Sequence, residues 1–179
     1  LVVALVNNAF HGNAKLLNSI LLYMAGALVW GLINAFVHEF GHIIAGNKNG
    51  FKTLALNVWF FRWTRKRKGF DFSFIMMGDE AGYTESVPTL TENMPTRLKK
   101  MSLGGIVASG ILTVLSIVPL FFCNSMKYQL YCLLAISLPV SGYYFIGNLL
   151  PIISDGVKND GAVIYCINNN DDELKVLCS

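Results

Sequence analysis

Charge is what this sequence has least of. Only 14% of its 179 residues are Asp, Glu, Lys or Arg, against roughly 25% in soluble globular domains. That shortfall argues against an ordinary water-soluble globule. Disorder is excluded as well, because it needs low hydrophobicity and high charge, whereas 54% of these residues are hydrophobic and the mean hydropathy is +0.49. The net charge of +3 is small. There is no nucleic-acid module and no basic stripe with interleaved stacking aromatics, so no nucleic-acid partner is expected. The four cysteines, Cys123, Cys132, Cys166 and Cys178, form no CxxC pair. They are expected to be reduced, structural residues rather than a disulfide framework or a thiolate metal site. Histidine is scarce too, with three in the chain.

What the chain has instead is long uncharged runs. Leu16 to Val37 carries no charge over 22 residues, Met101 to Met126 none over 26, and Tyr128 to Ser154 none over 27. As a helix, even the shortest is ~33 Å long against a hydrocarbon core of ~30 Å. Three spans are expected, over about 16–45, 101–124 and 128–150, within one membrane-embedded domain covering 1–179. Leu1–Val6 is apolar but too short to cross and reads as the stub of another span.

Residues 47–100 form the long polar connection and hold ten of the fourteen Lys and Arg. Positive residues mark the cytoplasmic side. The first span then runs inward, the second outward and the third inward, which brings His38 and the tail from Asp155 to one face. Within the connection Leu54, Leu56, Val58 and Phe60 alternate with other residues, as do Phe70, Phe72, Phe74 and Met76. Period-2 alternation reads as strands, with Arg62–Gly69 as the turn between them. The expected fold is therefore membrane α-helical: at least three transmembrane helices, with a membrane-associated β-hairpin or small sheet between the first and second. Arg65–Lys68 reads as a solvated turn near anionic headgroups.

At the end of the first span stands His38-Glu39-Phe40-Gly41-His42, an HExxH sequence. On a helix, residues four apart share a face, so both imidazoles can reach one metal ion. Zn²⁺ favours such ligands, and a catalytic zinc needs a third protein ligand besides an open position. Glu39 sits one position round, placed for general-base work rather than ligation. Ionisable residues at membrane depth are costly and point to function. His11 has no partner at ligand spacing and reads as a loop residue near the membrane surface. No further histidine supplies the third ligand, but Asp155 and Asp160 in the tail each precede a Gly. A Gly there would permit a sharp turn that aims the carboxylate back at the site.

An HExxH at the end of a span, then Asn148-Leu149-Leu150-Pro151 as an NxxP segment, then an Asp-Gly, resembles the site-2 protease family of intramembrane zinc metalloproteases. Ala81-Gly82-Tyr83-Thr84 is similar to that family's Gly-Gly-Tyr segment. Leu103-Gly104-Gly105 is similar to its Ala-Gly-Pro turn at the start of the next span. Asn159-Asp160-Gly161 resembles the Asn-Asp-Gly ending of a Gram-positive bacterial branch. This favours Asp160 as third ligand, with Asp155 the second choice.

The resemblance implies Zn²⁺ held by His38, His42 and Asp160, and Glu39 as general base and acid. It gives Asn148 a role in hydrogen-bonding the substrate, where the bland reading of that residue is a helix-end cap. The substrate would be a membrane-spanning or membrane-bound peptide, unwound and captured by an edge strand from residues 51–77. The setting would be a bacterial plasma membrane, with the active site toward the cytoplasm. No PDZ-length insertion is recognisable, so regulation is expected from a membrane partner or from access to the site. The alternative is a catalytically inactive membrane accessory subunit that keeps the protease fold.

Overall fold

A computed structural model of the chain describes residues 14–76, 81–122, 127–154 and 156–169. Leu1–Val6, His11, Cys123, Asp155 and Cys178 lie outside the described residues. Cys132 and Cys166 are buried.

Helix α1 covers Ala14–Lys48, 35 residues without a proline. It is ~52 Å long, so it continues well past the uncharged run and carries the whole HExxH sequence. It stops where Gly50 takes the left-handed conformation (φ 73°), the usual use of glycine after a last helical turn. The helix end is held by Arg97, whose Nε donates to the Asn49 carbonyl at 2.6 Å and whose Nη2 donates to that of Gly50 at 2.5 Å. A cation at this end also complements the helix dipole.

The chain then doubles back as a four-stranded antiparallel sheet: β1 Phe51–Val58, β2 Phe61–Lys66, β3 Gly69–Phe74 and β4 Gly82–Pro88, in the order β3-β2-β1-β4. Strand β1 runs along α1. Its start lies beside Gly46, and Trp59 just after its end lies beside Gly31. Leu56 and Val58 bury against Ala35 of α1. The sheet corrects the expected hairpin in two ways. Arg62–Lys66 is not a turn but most of β2. The turns are Trp59-Phe60, where Trp59 has φ 53°, and Arg67-Lys68, followed by Gly69 at φ 109°. The expected alternation also slips in β1, because its pairing with β4 shifts between Thr53 and Ala55. Leu54 faces outward, while Ala55 to Val58 are all buried.

Helix α2, Met94–Leu115, starts with Pro95 in its first turn and leads into a 3₁₀ turn over Val118–Phe122. Leu103-Gly104-Gly105 therefore lies inside a helix and is not a turn before one. These glycines serve close packing. A Cβ on Gly41 of α1 would collide with the Gly104 carbonyl and lie 2.7 Å from Ala108 Cβ, and one on Gly104 would overlap Ala45. Small residues at such a crossing let two backbones touch, the usual device of helices packed in lipid.

The third span is broken into α3, Tyr128–Ala135, and α4, Ser137–Leu149. Pro139 stands in the first turn of α4, where its ring opposes a helical bond back to Ala135. The break leaves the Leu133 carbonyl to accept from Trp30 Nε1 at 3.0 Å. After Pro151 a two-stranded ribbon, β5 Ile153–Ser154 and β6 Val157–Lys158, turns at Gly156 (φ 82°) and leads into α5, Asp160–Asn168.

The segments Leu16–Lys48, Met94–Phe122 and Leu130–Leu149 are each long and apolar enough to cross a membrane. Large apolar side chains point away from the protein along them, with Leu28 62%, Val114 66% and Tyr143 77% exposed. The architecture is compatible with an integral membrane protein carrying a small sheet between its first and second spans.

Candidate metal centre

Helix periodicity puts His38 and His42 on one face of α1, and the fold turns that face inward onto α2. Both residues are under 10% exposed. Room for the rings comes from Gly105: a Cβ there would overlap the His42 imidazole and stand 2.8 Å from His38 Cε1. Helix α2 also engages the far nitrogen of each ring. His42 Nδ1 lies 3.0 Å from the Met101 carbonyl, which can only accept, so this nitrogen carries the proton. His38 Nδ1 lies 2.9 Å from Ser109 Oγ. With Nδ1–H donating, both Nε2 atoms present lone pairs to the same point, the arrangement in which outer hydrogen bonds set the tautomer of metal-binding histidines.

The third group comes from the other end of the chain. Asn159 caps α5: its Oδ1 accepts from Ala162 N at 2.9 Å, and its Nδ2 donates to the carbonyls of Gly147 and Leu150 at 2.6 and 2.8 Å. That clamp fixes the start of α5 against the end of α4. Gly161 is pressed on the carbonyls of Leu149 and Leu150, and a Cβ there would lie 2.5 Å from Leu149 O. Its role is close approach within a helix, not the sharp turn expected from the sequence. Asp160, the first residue of α5, is thereby aimed at the histidines. Its Oδ2 is 3.1 Å from His38 Nε2 and 3.2 Å from His42 Nε2, and the two Nε2 atoms are 3.1 Å apart.

These spacings suit a small cation. Tetrahedral ligands at ~2.0–2.1 Å from zinc lie ~3.3 Å from one another. Apart from the two imidazoles, the buried Asp160 Oδ2 has no hydrogen-bond partner, so with both Nδ1 atoms protonated a carboxylate oxygen and two imidazole lone pairs converge on one point. Burial opposes the charge on Asp160, yet the adjoining imidazoles hold its carboxyl below the usual carboxylate range. His38, His42 and Asp160 could thus hold a metal ion, and the donor set of two nitrogens and one oxygen fits zinc.

Glu39 lies beside this triad, 5% exposed. Its Oε2 accepts from Thr84 Oγ1 at 2.7 Å, and Gly82 packs on its side chain, where a Cβ would lie 3.1 Å from Glu39 Cγ. Strand β4 therefore fixes the carboxylate. Glu39 and the triad line a cavity of about 550 Å³, together with Tyr83, Tyr144 and Asn148. Asn148 Nδ2 donates to the Tyr144 carbonyl one turn back at 2.9 Å, so this cavity-lining residue is also tied to its own helix. The sheet edge beside the site is β4. It is not a strand within 51–77, whose edge strand β3 lies on the far side.

Ser109, Thr84 and Asn159 are the site residues to which sequence reasoning assigned no role. Ser109 had a signal: Ser102, Ser109 and Ser116 stand seven apart in an apolar run, two helical turns each, and all three are buried. Ser109→Ala is expected to weaken zinc binding by about 10–100-fold, the usual scale for an outer-shell partner. Ser109→Thr should restore most of it. Competition with a chromophoric chelator measures both.

Comparison of the chain with protein-family models, with curated proteins and with solved structures finds no match in any of the three.

Proposed function

We propose that the protein is an intramembrane zinc metalloprotease of the site-2 protease type, hydrolysing peptide bonds of membrane-spanning or membrane-bound peptides. The observation that carries this reading is the meeting of His38 Nε2, His42 Nε2 and Asp160 Oδ2 within 3.2 Å of one another, beside a buried Glu39. Residues more than 100 positions apart converge there with no other evident task.

A bound zinc ion supplies Lewis acidity toward a peptide carbonyl. The chain's own groups do the rest. With Oε2 of Glu39 occupied by Thr84, Oε1 is the atom that takes a proton from the attacking water and later passes it to the leaving amine. The rigid seat of Glu39 between Gly82 and Thr84 keeps that oxygen aimed into the cavity. Asn148, which also lines the cavity, hydrogen-bonds the substrate backbone.

A helical substrate hides its peptide bonds in internal hydrogen bonds and must be unwound. Edge strand β4 borders the cavity and can hold the unwound segment by strand addition. The cavity opens near the helix ends where most of the Lys and Arg lie, which supports a cytoplasmic-side active site in a bacterial plasma membrane. A regulatory membrane partner would act by controlling entry to this cavity.

The test is cleavage of a membrane-spanning peptide by the full chain, reconstituted in a bilayer with one zinc per molecule. Intact peptide after prolonged incubation with such zinc-loaded protein would favour the inactive accessory subunit.

A further inference from the structure

The β2–β3 hairpin has two unlike faces. Its register pairs Phe61 with Phe74, Trp63 with Phe72 and Arg65 with Phe70. One face is thus a patch of five aromatic rings ending in an arginine. The other carries Arg62, Thr64, Asp71 and Ser73. Arg62 there is tied down by Glu85 and Asn57.

The aromatic face turns toward α1, with Trp63 edge-on to Phe36 at 5.8 Å. Between them runs an outward-facing groove of about 370 Å³, lined by apolar side chains that include Leu32, Ile33, Val37 and Phe72. It shares no lining residue with the metal cavity, which takes the opposite face of α1 through Ala35, Glu39 and His42. The groove is therefore separate from that cavity.

At the open end of the groove the chemistry reverses. Arg65 stands two residues beyond Trp63 on the same face, ~7 Å along the strand. Arg67 and Lys68 follow in the turn, and all three are exposed. Among the described residues Lys66 is paired with Asp71, whereas no ion pair involves Arg65, Arg67 or Lys68. An apolar slot thus points along the hairpin toward three cations at one end. The strand register puts that end level with the last turns of α1, near Lys48, and the slot beside its apolar middle.

We propose that this groove and the Arg65–Lys68 turn form a binding site for an anionic phospholipid of the surrounding bilayer. The acyl chain lies between α1 and the hairpin, and the headgroup phosphate sits on Arg65, Arg67 and Lys68. Charge complementarity selects the anionic lipid, since juxtamembrane cations each favour it by an appreciable increment. This inference rests on the membrane reading of the fold, not on proteolysis.

The test uses the full chain in bilayers of phosphatidylcholine and phosphatidylglycerol, with one lipid at a time carrying brominated acyl chains. The Trp63 signal is the fluorescence difference between the parent and Trp63→Phe. Per mole of brominated lipid, quenching of that signal is expected to be at least about fivefold stronger for phosphatidylglycerol. The selectivity should vanish in the triple variant R65Q/R67Q/K68Q, whose helical content by circular dichroism reports an intact fold. Equal quenching by both lipids, or selectivity that survives the triple variant, would overturn the site. Absence of quenching of Trp63 alone would also overturn it, placing something other than lipid in the groove. Absence of quenching of every tryptophan would instead remove the membrane reading on which it rests.

Discussion

Glu39→Gln is expected to lower cleavage of a membrane-spanning peptide by about 10²–10⁴-fold, the usual contribution of a positioned general base, while zinc remains at one per chain. Glutamine matches glutamate in shape, so the contact with Gly82 persists and Thr84 Oγ1 can still donate to the amide oxygen. What the amide cannot do is take a proton from water. The two readouts must be taken together. Lost cleavage with zinc retained assigns the chemistry to Glu39. Parent-rate cleavage by zinc-loaded variant protein would remove Glu39 from the mechanism. Loss of both would mean that the buried carboxylate supports the metal centre structurally. A companion change, Thr84→Val, leaves the base present but unties it from β4. Activity should fall by a smaller factor with zinc retained, because the hydrogen bond that positions Glu39 has been lost.

The one-dimensional signals in this sequence were those with a fixed period. Uncharged runs of 22 to 27 residues became helices able to cross a membrane, and the HExxH spacing put two imidazoles on one helical face. Signals that depend on a partner far along the chain were harder to read. The density of charge in Arg62–Lys68 suggested a turn. Yet Arg62 sits in β2 because Glu85 of β4 and Asn57 of β1 receive its guanidinium. Gly104 and Gly105 suggested a chain reversal, whereas their use is to admit Gly41, Ala45 and the two imidazoles against α2. Strand β4 had no apolar alternation to announce it. Its side chains answer to Glu39 and β1 rather than to a core. The third metal-binding group was the least legible from spacing alone. Two Asp-Gly pairs compete in the tail, and only the clamp of Asn159 on α4 shows how one of them reaches the histidines.

That competition yields the second large effect. Asp160→Ala removes one of three donors, so zinc affinity is expected to fall by on the order of 10²–10³-fold, roughly a quarter of the binding free energy of a structural four-ligand site. Cleavage should fall with it. Asp155→Ala should leave zinc content and cleavage near the parent level. The helix that presents Asp160 does not itself need the carboxylate. Its first turn is capped by Asn159 Oδ1, and Gly161 packs on the carbonyls of Leu149 and Leu150, so the alanine variant should keep its helical content by circular dichroism. Zinc affinity therefore reads ligation and not folding. Asp160→Asn refines the result, since it keeps an oxygen and the shape of the side chain but loses the negative charge. Recovery of only part of the affinity would show that the charge itself holds the ion. If Asp155→Ala lost zinc while Asp160→Ala kept it, Asp160 would be excluded as a ligand and Asp155 would take its place.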